Sequence, residues 1–265
     1  MEIGPGTRAL VTGASRGIGR ATAEALAARG ATIGLVARSA GELDALAAAL
    51  PGKHVALPCD VGDAAGVSAA VGQFVEATGG MDLVVANAGI AVYGPFRSSS
   101  IEDAEAMTRV NWLGTVYTVH AALPHLLSGA AGHIVIVSSG AALRSFPWAA
   151  VYGGTKAAQR GFGEALRHEL SGTGVGLTLV YPGEVESALH DHELATMPDW
   201  ARRDEPAVPA AEMAAKILAG IEADARAVHH PPAVRLLRIV HGISPRGADR
   251  MLRMLRGGSA APRVD

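Results

Sequence analysis

Cysteine is nearly missing from this chain: Cys59 is the single one among 265 residues. An internal disulfide is therefore excluded, and the composition fits a reducing compartment. Cys59 ends the apolar run Val55-Ala56-Leu57-Pro58-Cys59 and reads as a small core residue rather than a reactive thiol. Lysine is almost as scarce, at Lys53, Lys156 and Lys216. Uninterrupted apolar stretches stay well below the ~18 residues that a membrane-spanning helix needs. Met1 to Gly6 lack the basic start and apolar stretch of a secretory signal, so a soluble, cytoplasmic protein is expected. A strong charge imbalance is missing too. The formal net charge of -2 gives no case for a nucleic-acid partner. The histidines lack companion carboxylates or cysteines at ligand spacing, so no metal is expected. His190 and His192 alternate in a polar loop, and His229-His230 end a candidate strand.

What is present is a regular alternation. Short β-branched runs occur at residues 9–12, 32–36, 54–57, 83–86, 133–137 and 176–180. Alanine-rich helical stretches fall between them, for example Arg20 to Arg29, Glu42 to Leu50 and Ala64 to Ala77. Continuously apolar strands suit a sheet covered on both faces. Their alternation with helices predicts an α/β fold: a doubly wound, Rossmann-like parallel sheet in three α/β/α layers. The length suits a single domain over residues 1–232. Residues 184–209 are polar and irregular, with Pro198, Pro206 and Pro209, and predict a functional loop. Residues 233–265 form a C-terminal extension. Arg235 to Arg256 carries six arginines and one acid, Asp249, among apolar residues. It predicts two amphipathic helices broken at Gly242 to Pro245. Such helices pack on their own domain or a sister subunit, or lie on an anionic membrane.

The first strand runs into Thr12-Gly13-Ala14-Ser15-Arg16-Gly17-Ile18-Gly19, which opens the first helix. Glycines let a backbone turn tightly and approach a pyrophosphate, and a helix start favours an anion. The second strand ends Val36-Ala37-Arg38-Ser39. A carboxylate at that point would bond the ribose hydroxyls of NAD, whereas a 2′-phosphate needs a cation. Ala37 stands where the acid would be, with Arg38 next and Arg16 in the glycine turn, so NADP(H) is expected.

A further pattern is Tyr152 with Lys156, four residues apart on a stretch that reads helical through Arg167. Residues at i and i+4 share a helix face. A cation beside a phenol favours the phenolate, which makes tyrosine usable as an acid or base near neutral pH.

Taken in order, these elements resemble the short-chain dehydrogenase/reductase family, in its single-domain branch. The resemblance covers roughly residues 6–230. It rests on the Thr12–Gly19 turn, Asp60-Val61, Asn87-Ala88-Gly89, Asn111, Ser138-Ser139, Tyr152 with Lys156, and Pro182-Gly183. It implies a cofactor site formed by Gly13, Ser15, Arg16, Gly17, Ile18, Gly19, Arg38 and Ser39. Asp60 and Val61 would touch the adenine. Asn87, Ala88 and Gly89 would line the cofactor, and Pro182, Gly183 and Val185 would border the nicotinamide. Ser139, thirteen residues before Tyr152, would orient the substrate, leaving Ser138 a structural strand-end role. Tyr152 would transfer the proton. Lys156 would bond the nicotinamide ribose and acidify the tyrosine, and Asn111 would hold a water for the lysine.

The resemblance also places substrate contacts near Val92-Tyr93, Leu143, Phe146-Pro147-Trp148, Leu189 and Trp200. That implies a hydrophobic carbonyl or alcohol substrate. Glu184 departs from the usual small or apolar residue after Gly183, and points either to solvent or to substrate. The implied activity is an NADP(H)-dependent oxidoreductase, working as a homodimer or homotetramer. The alternative is a catalytically silent NADP-binding module.

Overall fold

The computed structural model describes residues 1–129, 131–185 and 207–255. Seven strands form one parallel sheet: β1 Arg8–Thr12, β2 Thr32–Ala37, β3 Val55–Pro58, β4 Leu83–Ala86, β5 Gly132–Val137, β6 Val175–Pro182 and β7 Ala227–His230. Their order is β3-β2-β1-β4-β5-β6-β7. The helices are α1 Gly17–Ala28, α2 Ala40–Ala49, α3 Ala64–Thr78, α4 Ile101–Met107, α5 Gly114–Ser128, α6 Ala150–Glu169, α7 Ala210–Glu222, α8 Pro232–Ile243 and α9 Pro245–Leu255. A π-helical turn, Thr108–Leu113, links α4 to α5. The fold is the doubly wound α/β sandwich that the alternation predicts. The six strand runs fall where expected, with ends differing by a residue or two. The seventh strand ends at His229-His230 and pairs with β6, Tyr181 opposite His229.

The central strands are mostly apolar because both faces are covered. Successive side chains alternate across a sheet. Leu10, Val84, Ile134, Ile136 and Leu179 meet α3, α5 and α6 through Phe74, Val119, Leu126 and Leu166. Ala9, Val11, Ile33, Leu35, Val85, Val135 and Val180 meet α1, α2 and α7 through Leu26, Leu43, Met213 and Ile217. These two apolar layers sandwich the sheet and fix each strand's register.

Three helix starts are marked by short polar side chains that accept otherwise unpaired N–H groups. Ser39 caps α2 through Glu42, Asp63 caps α3 through Ala65, and Ser100 caps α4 through Asp103. At its far end α3 stops on Gly79, whose φ of 76° suits glycine. Strand order reverses between β1 and β4, which pair through Leu10 and Val84. Their outgoing loops diverge there to opposite faces, leaving a crevice at the carboxyl edge.

Candidate active site

A cleft of about 730 Å³ occupies that edge. One end is lined by Gly13, Ser15, Arg16, Gly17, Ile18, Arg38, Ser39, Asp60 and Val61. Asn87, Ala88 and Gly89 follow after β4. Ser139, Tyr152, Lys156, Pro182, Gly183 and Val185 line the other end. Every expected cofactor and catalytic residue except Gly19 and Asn111 thus borders one space.

The end at the Gly13–Gly17 turn is built mostly from backbone. Gly13 has φ +67° and Gly17 φ +55°, both in the region that favours glycine. A Cβ on Gly13 would stand 2.9 Å from Ala88 Cα and from Asn87 Nδ2. Gly19 lies behind the lining, where a Cβ would collide with the Gly13 carbonyl and Asn87. Its place in the motif is explained by packing. Thr12 ties the strands together: its Oγ1 accepts from the N–H groups of Asn87 and Ala88, at 3.0 and 3.1 Å. Asn87 Nδ2 returns a bond to the Thr12 carbonyl at 2.9 Å. Helix α1 begins here with Arg16 as its N-cap residue, so its N-terminal dipole faces the cleft. Arg16 and Arg38 are exposed in the lining, and no carboxylate ends β2. Glu42 also lines this end, one negative charge beside two guanidiniums. Asp60 holds its own turn, Oδ1 accepting from Gly62 N–H at 2.9 Å.

Cys59 packs against the core, as expected, but is not enclosed by it. It is only partly buried and lies in the cleft lining, because the strand ends at Pro58 and the next residue turns toward the carboxyl edge. Burial and the neighbouring acids Asp63 and Asp60 push its thiol pKa up, which disfavours thiolate.

The other end is built from buried side chains. The inward face of α6 carries Tyr152, Thr155, Lys156, Gln159, Gly163 and Leu166. Its amino-terminal half is polar and its later half apolar, so the polar half sits at the cleft. Lys156 is 4% exposed and lies 5.9 Å from the centre of the Tyr152 ring. Its Nζ donates to the Val137 carbonyl at 3.1 Å. Burial lowers the ammonium pKa to about 8. Burial also raises the Tyr152 phenol above its ordinary value, while hydrogen bonding with the Ser139 and Tyr93 side chains pulls it partly back. The acidified phenol expected from the Tyr-Lys spacing is therefore not what this structure holds. Desolvation outweighs those hydrogen bonds, and the phenol is neutral near pH 7.

The two serines after β5 separate as expected. Ser138 is buried and donates to the Lys156 carbonyl at 2.9 Å, tying β5 to α6. Ser139 Oγ accepts from Ala141 N–H at 3.1 Å and borders Tyr152. Asn111 is fully buried in the π-helical turn. Its side chain bonds both backbone groups of Ile90 and the Thr155 hydroxyl. Its backbone carbonyl accepts from Gln159 and Thr115 at 2.8 Å. Asn111 Oδ1 and Lys156 Nζ both lie close to Gly89. A Cβ there would lie 3.3 Å from the former and 3.4 Å from the latter.

Of the expected substrate contacts, Tyr93 and Phe146 line the cleft. Leu143 is buried in the core, and Val92 and Trp148 border a separate small recess. Leu189 and Trp200 lie outside the described residues. The sequence reading missed three features. Tyr93 packs edge-on to Tyr152, ring centres 5.5 Å apart. Arg144 brings a cation into the lining and pairs with Asp249 of α9, Nε to Oδ1 3.0 Å. Helix α8 supplies a wall through Ala233, Val234 and Leu237. Val234 fits against Gly140 and Gly183, which lack side chains to obstruct it. Glu184 is exposed and also lines the cleft. The substrate end is thus apolar in its walls but carries charge of both signs at its edge.

Known proteins agree with this architecture. The family model described as short chain dehydrogenase matches residues 7–197. A ketoacyl reductase of Nostoc sp. is 35% identical over 183 residues, covering 68% of this chain and 64% of that protein. An uncharacterised oxidoreductase of Staphylococcus epidermidis is 34% identical over 181 residues, covering 68% and 79%. Among solved structures, a short-chain dehydrogenase/reductase of Burkholderia phymatum in complex with NAD superposes with a TM-score of 0.83. The two are 27% identical, over 93% of this chain and 96% of that one. A short-chain dehydrogenase of Burkholderia cenocepacia in complex with NADP gives a TM-score of 0.77 at 31% identity, over 86% and 97%. On the matched sequence and the shared sheet, the chain belongs to the short-chain dehydrogenase/reductase family.

Proposed function

We propose that the protein is an NADP(H)-dependent oxidoreductase that interconverts a carbonyl and a secondary alcohol, with Tyr152 as the proton-transferring group. The observation that carries this reading is the convergence of Ser139, Tyr152 and Lys156 on the cleft whose other end presents Arg16 and Arg38.

The residues present fit a dinucleotide. A helix N-terminus, two glycines at positive φ and exposed guanidiniums suit phosphate oxygens. Arg38 and Arg16 would hold a 2′-phosphate, with Ser39 beside them. Asp60 and Val61 would flank the adenine. Asn87 to Gly89 and Pro182, Gly183 and Val185 would border the ring at the far end. When bound, NADPH supplies the hydride.

The rest is work for this chain's own side chains. Ser139 and Tyr152 direct hydroxyls to one carbonyl oxygen and stabilise the charge that develops there. Tyr152, held neutral by burial, gives its proton to that oxygen; the reverse path takes it from an alcohol. The Lys156 ammonium stabilises the phenolate left behind and loses that ability as pH rises past about 8. Asn111 positions a water for Lys156, beside Gly89. The apolar walls formed by Tyr93, Phe146, Val234 and Leu237 suit a hydrophobic substrate. Assembly as a homodimer or homotetramer, in the cytoplasm, completes the proposal.

The test is steady-state oxidation of NADPH and of NADH against a panel of steroid, quinone, acyl, sugar and aliphatic carbonyls. Turnover of some hydrophobic carbonyl with higher kcat/KM for NADPH is expected. A preference for NADH would refute the cofactor assignment. Tight NADPH binding without turnover of any carbonyl would mark a silent binding module.

A further inference from the structure

The outward side of α8 is unlike the rest of the surface. Of the six large hydrophobic side chains exposed among the described residues, three lie on this helix: Leu236 at 53%, Ile239 at 50% and Ile243 at 82%. Spaced three and four residues apart, they share one side of it. Arg235 and Arg238 form the adjoining stripe, and Arg246 and Arg250 on α9 are exposed as well. No ion pair among the described residues involves any of these four arginines. The acid of this segment, Asp249, is turned to Arg144. The chain as a whole carries a net charge of -2, so this face is a local reversal of sign.

We infer that α8 docks the protein on an anionic membrane surface, its apolar stripe in the acyl boundary and its arginines at lipid phosphates. An apolar stripe edged by guanidiniums is the surface an interfacial helix presents. No helix among the described residues is long and apolar enough to cross a membrane, so the contact is peripheral. A second copy of the chain is a poorer occupant. Antiparallel two-fold pairing through this stripe would bring the arginine stripes of both copies together, like charge against like. The same helix lines the cleft from within through Val234 and Leu237. Docking would therefore set the substrate end of the cleft beside the lipid, where an apolar substrate is concentrated. The docking itself does not depend on the proposed reaction.

Sedimentation of the full chain with vesicles tests it. Vesicles of phosphatidylcholine alone are compared with vesicles that also contain phosphatidylglycerol. Binding to the anionic vesicles, weakened by salt and faint on the neutral ones, is expected. Ile239→Glu, and separately the pair Arg235→Glu with Arg238→Glu, should each lower partitioning by at least about tenfold. These side chains are exposed, so thermal melting and NADPH binding should match those of the wild-type chain. Absence of binding to anionic vesicles would overturn the inference, as would binding that Ile239→Glu leaves unchanged. Analytical ultracentrifugation without lipid supplies a further check. If Ile239→Glu breaks an oligomer into smaller species, the stripe is a contact between copies and the membrane assignment falls.

Discussion

The two ends of the cleft are built on opposite plans. At the nucleotide end the chain presents backbone and exposed guanidiniums: Gly13, Gly17, Arg16 and Arg38. At the reaction end it presents buried polar side chains: Asn111 is 0%, Lys156 4% and Tyr152 6% exposed. A large, highly charged cofactor can be held by dipoles and surface cations in water. A proton transfer gains from a dry site, where each charge acts more strongly. The dry site has a cost in stability at neutral pH, seen in the lowered pKa of the buried Lys156.

Beyond Tyr152 itself, four substitutions sharpen this contrast, and the largest effect among them is expected at Lys156. Lys156→Met should lower kcat by at least about a hundredfold. It should also raise thermal stability at neutral pH. The lysine pKa falls from 10.5 to about 8, so below pH 8 the folded state carries a buried ammonium at a penalty of roughly 3 kcal/mol. Between pH 8 and 10.5 the unfolded chain binds more protons, so the wild-type penalty fades as pH rises. The melting advantage of the variant should shrink across that window, with loss of the Val137 bond as a partial offset. A variant no more stable than wild type at pH 7 would refute the desolvation account.

Next in size is Arg38→Ala at the exposed end. A charge-assisted bond contributes about 1.5–3 kcal/mol, so the NADPH Kd should rise roughly ten- to a hundredfold. NADH binding should barely change. Equal losses for both cofactors would detach Arg38 from the 2′-phosphate.

The wild-type pH profile comes third. Reductive kcat/KM should be level below about pH 8 and fall above it as Lys156 loses its charge. Replacement by arginine, which stays protonated, should move that limb upward. A limb that stays in place in Lys156→Arg would belong to another group.

The smallest effect belongs to α8. Leu237→Ala opens the wall on the substrate side and should raise KM for bulky carbonyls by only a few-fold to about tenfold, with NADPH binding unchanged. A changed NADPH Kd would place Leu237 on the cofactor instead.

The nucleotide end was largely legible in the sequence, because local rules write it. Continuous apolar runs announced the strands, and glycines at a strand-to-helix junction announced the turn. Tyr152 and Lys156 were legible for the same reason, since helical spacing places both on the inward face of α6. What escaped depends on pairings distant in sequence. Arg144 meets Asp249 across 105 residues, and Tyr93 reaches Tyr152 from the loop after β4. No periodicity encodes either contact. The tail forms two helices with their break at Ser244, within the expected stretch, but one stripe of α8 lines the cleft, and sequence pattern alone does not say which. Cys59 packs against the core but less deeply than expected, because an apolar run predicts burial without marking where the strand ends.

The direct test of the account is Tyr152→Phe, assayed for carbonyl turnover and NADPH affinity in parallel. Loss of the hydroxyl alone leaves the ring packed against Tyr93. The account predicts a fall in kcat of about a thousandfold, with NADPH Kd within about twofold of wild type. Turnover at the wild-type rate in that variant would contradict the account.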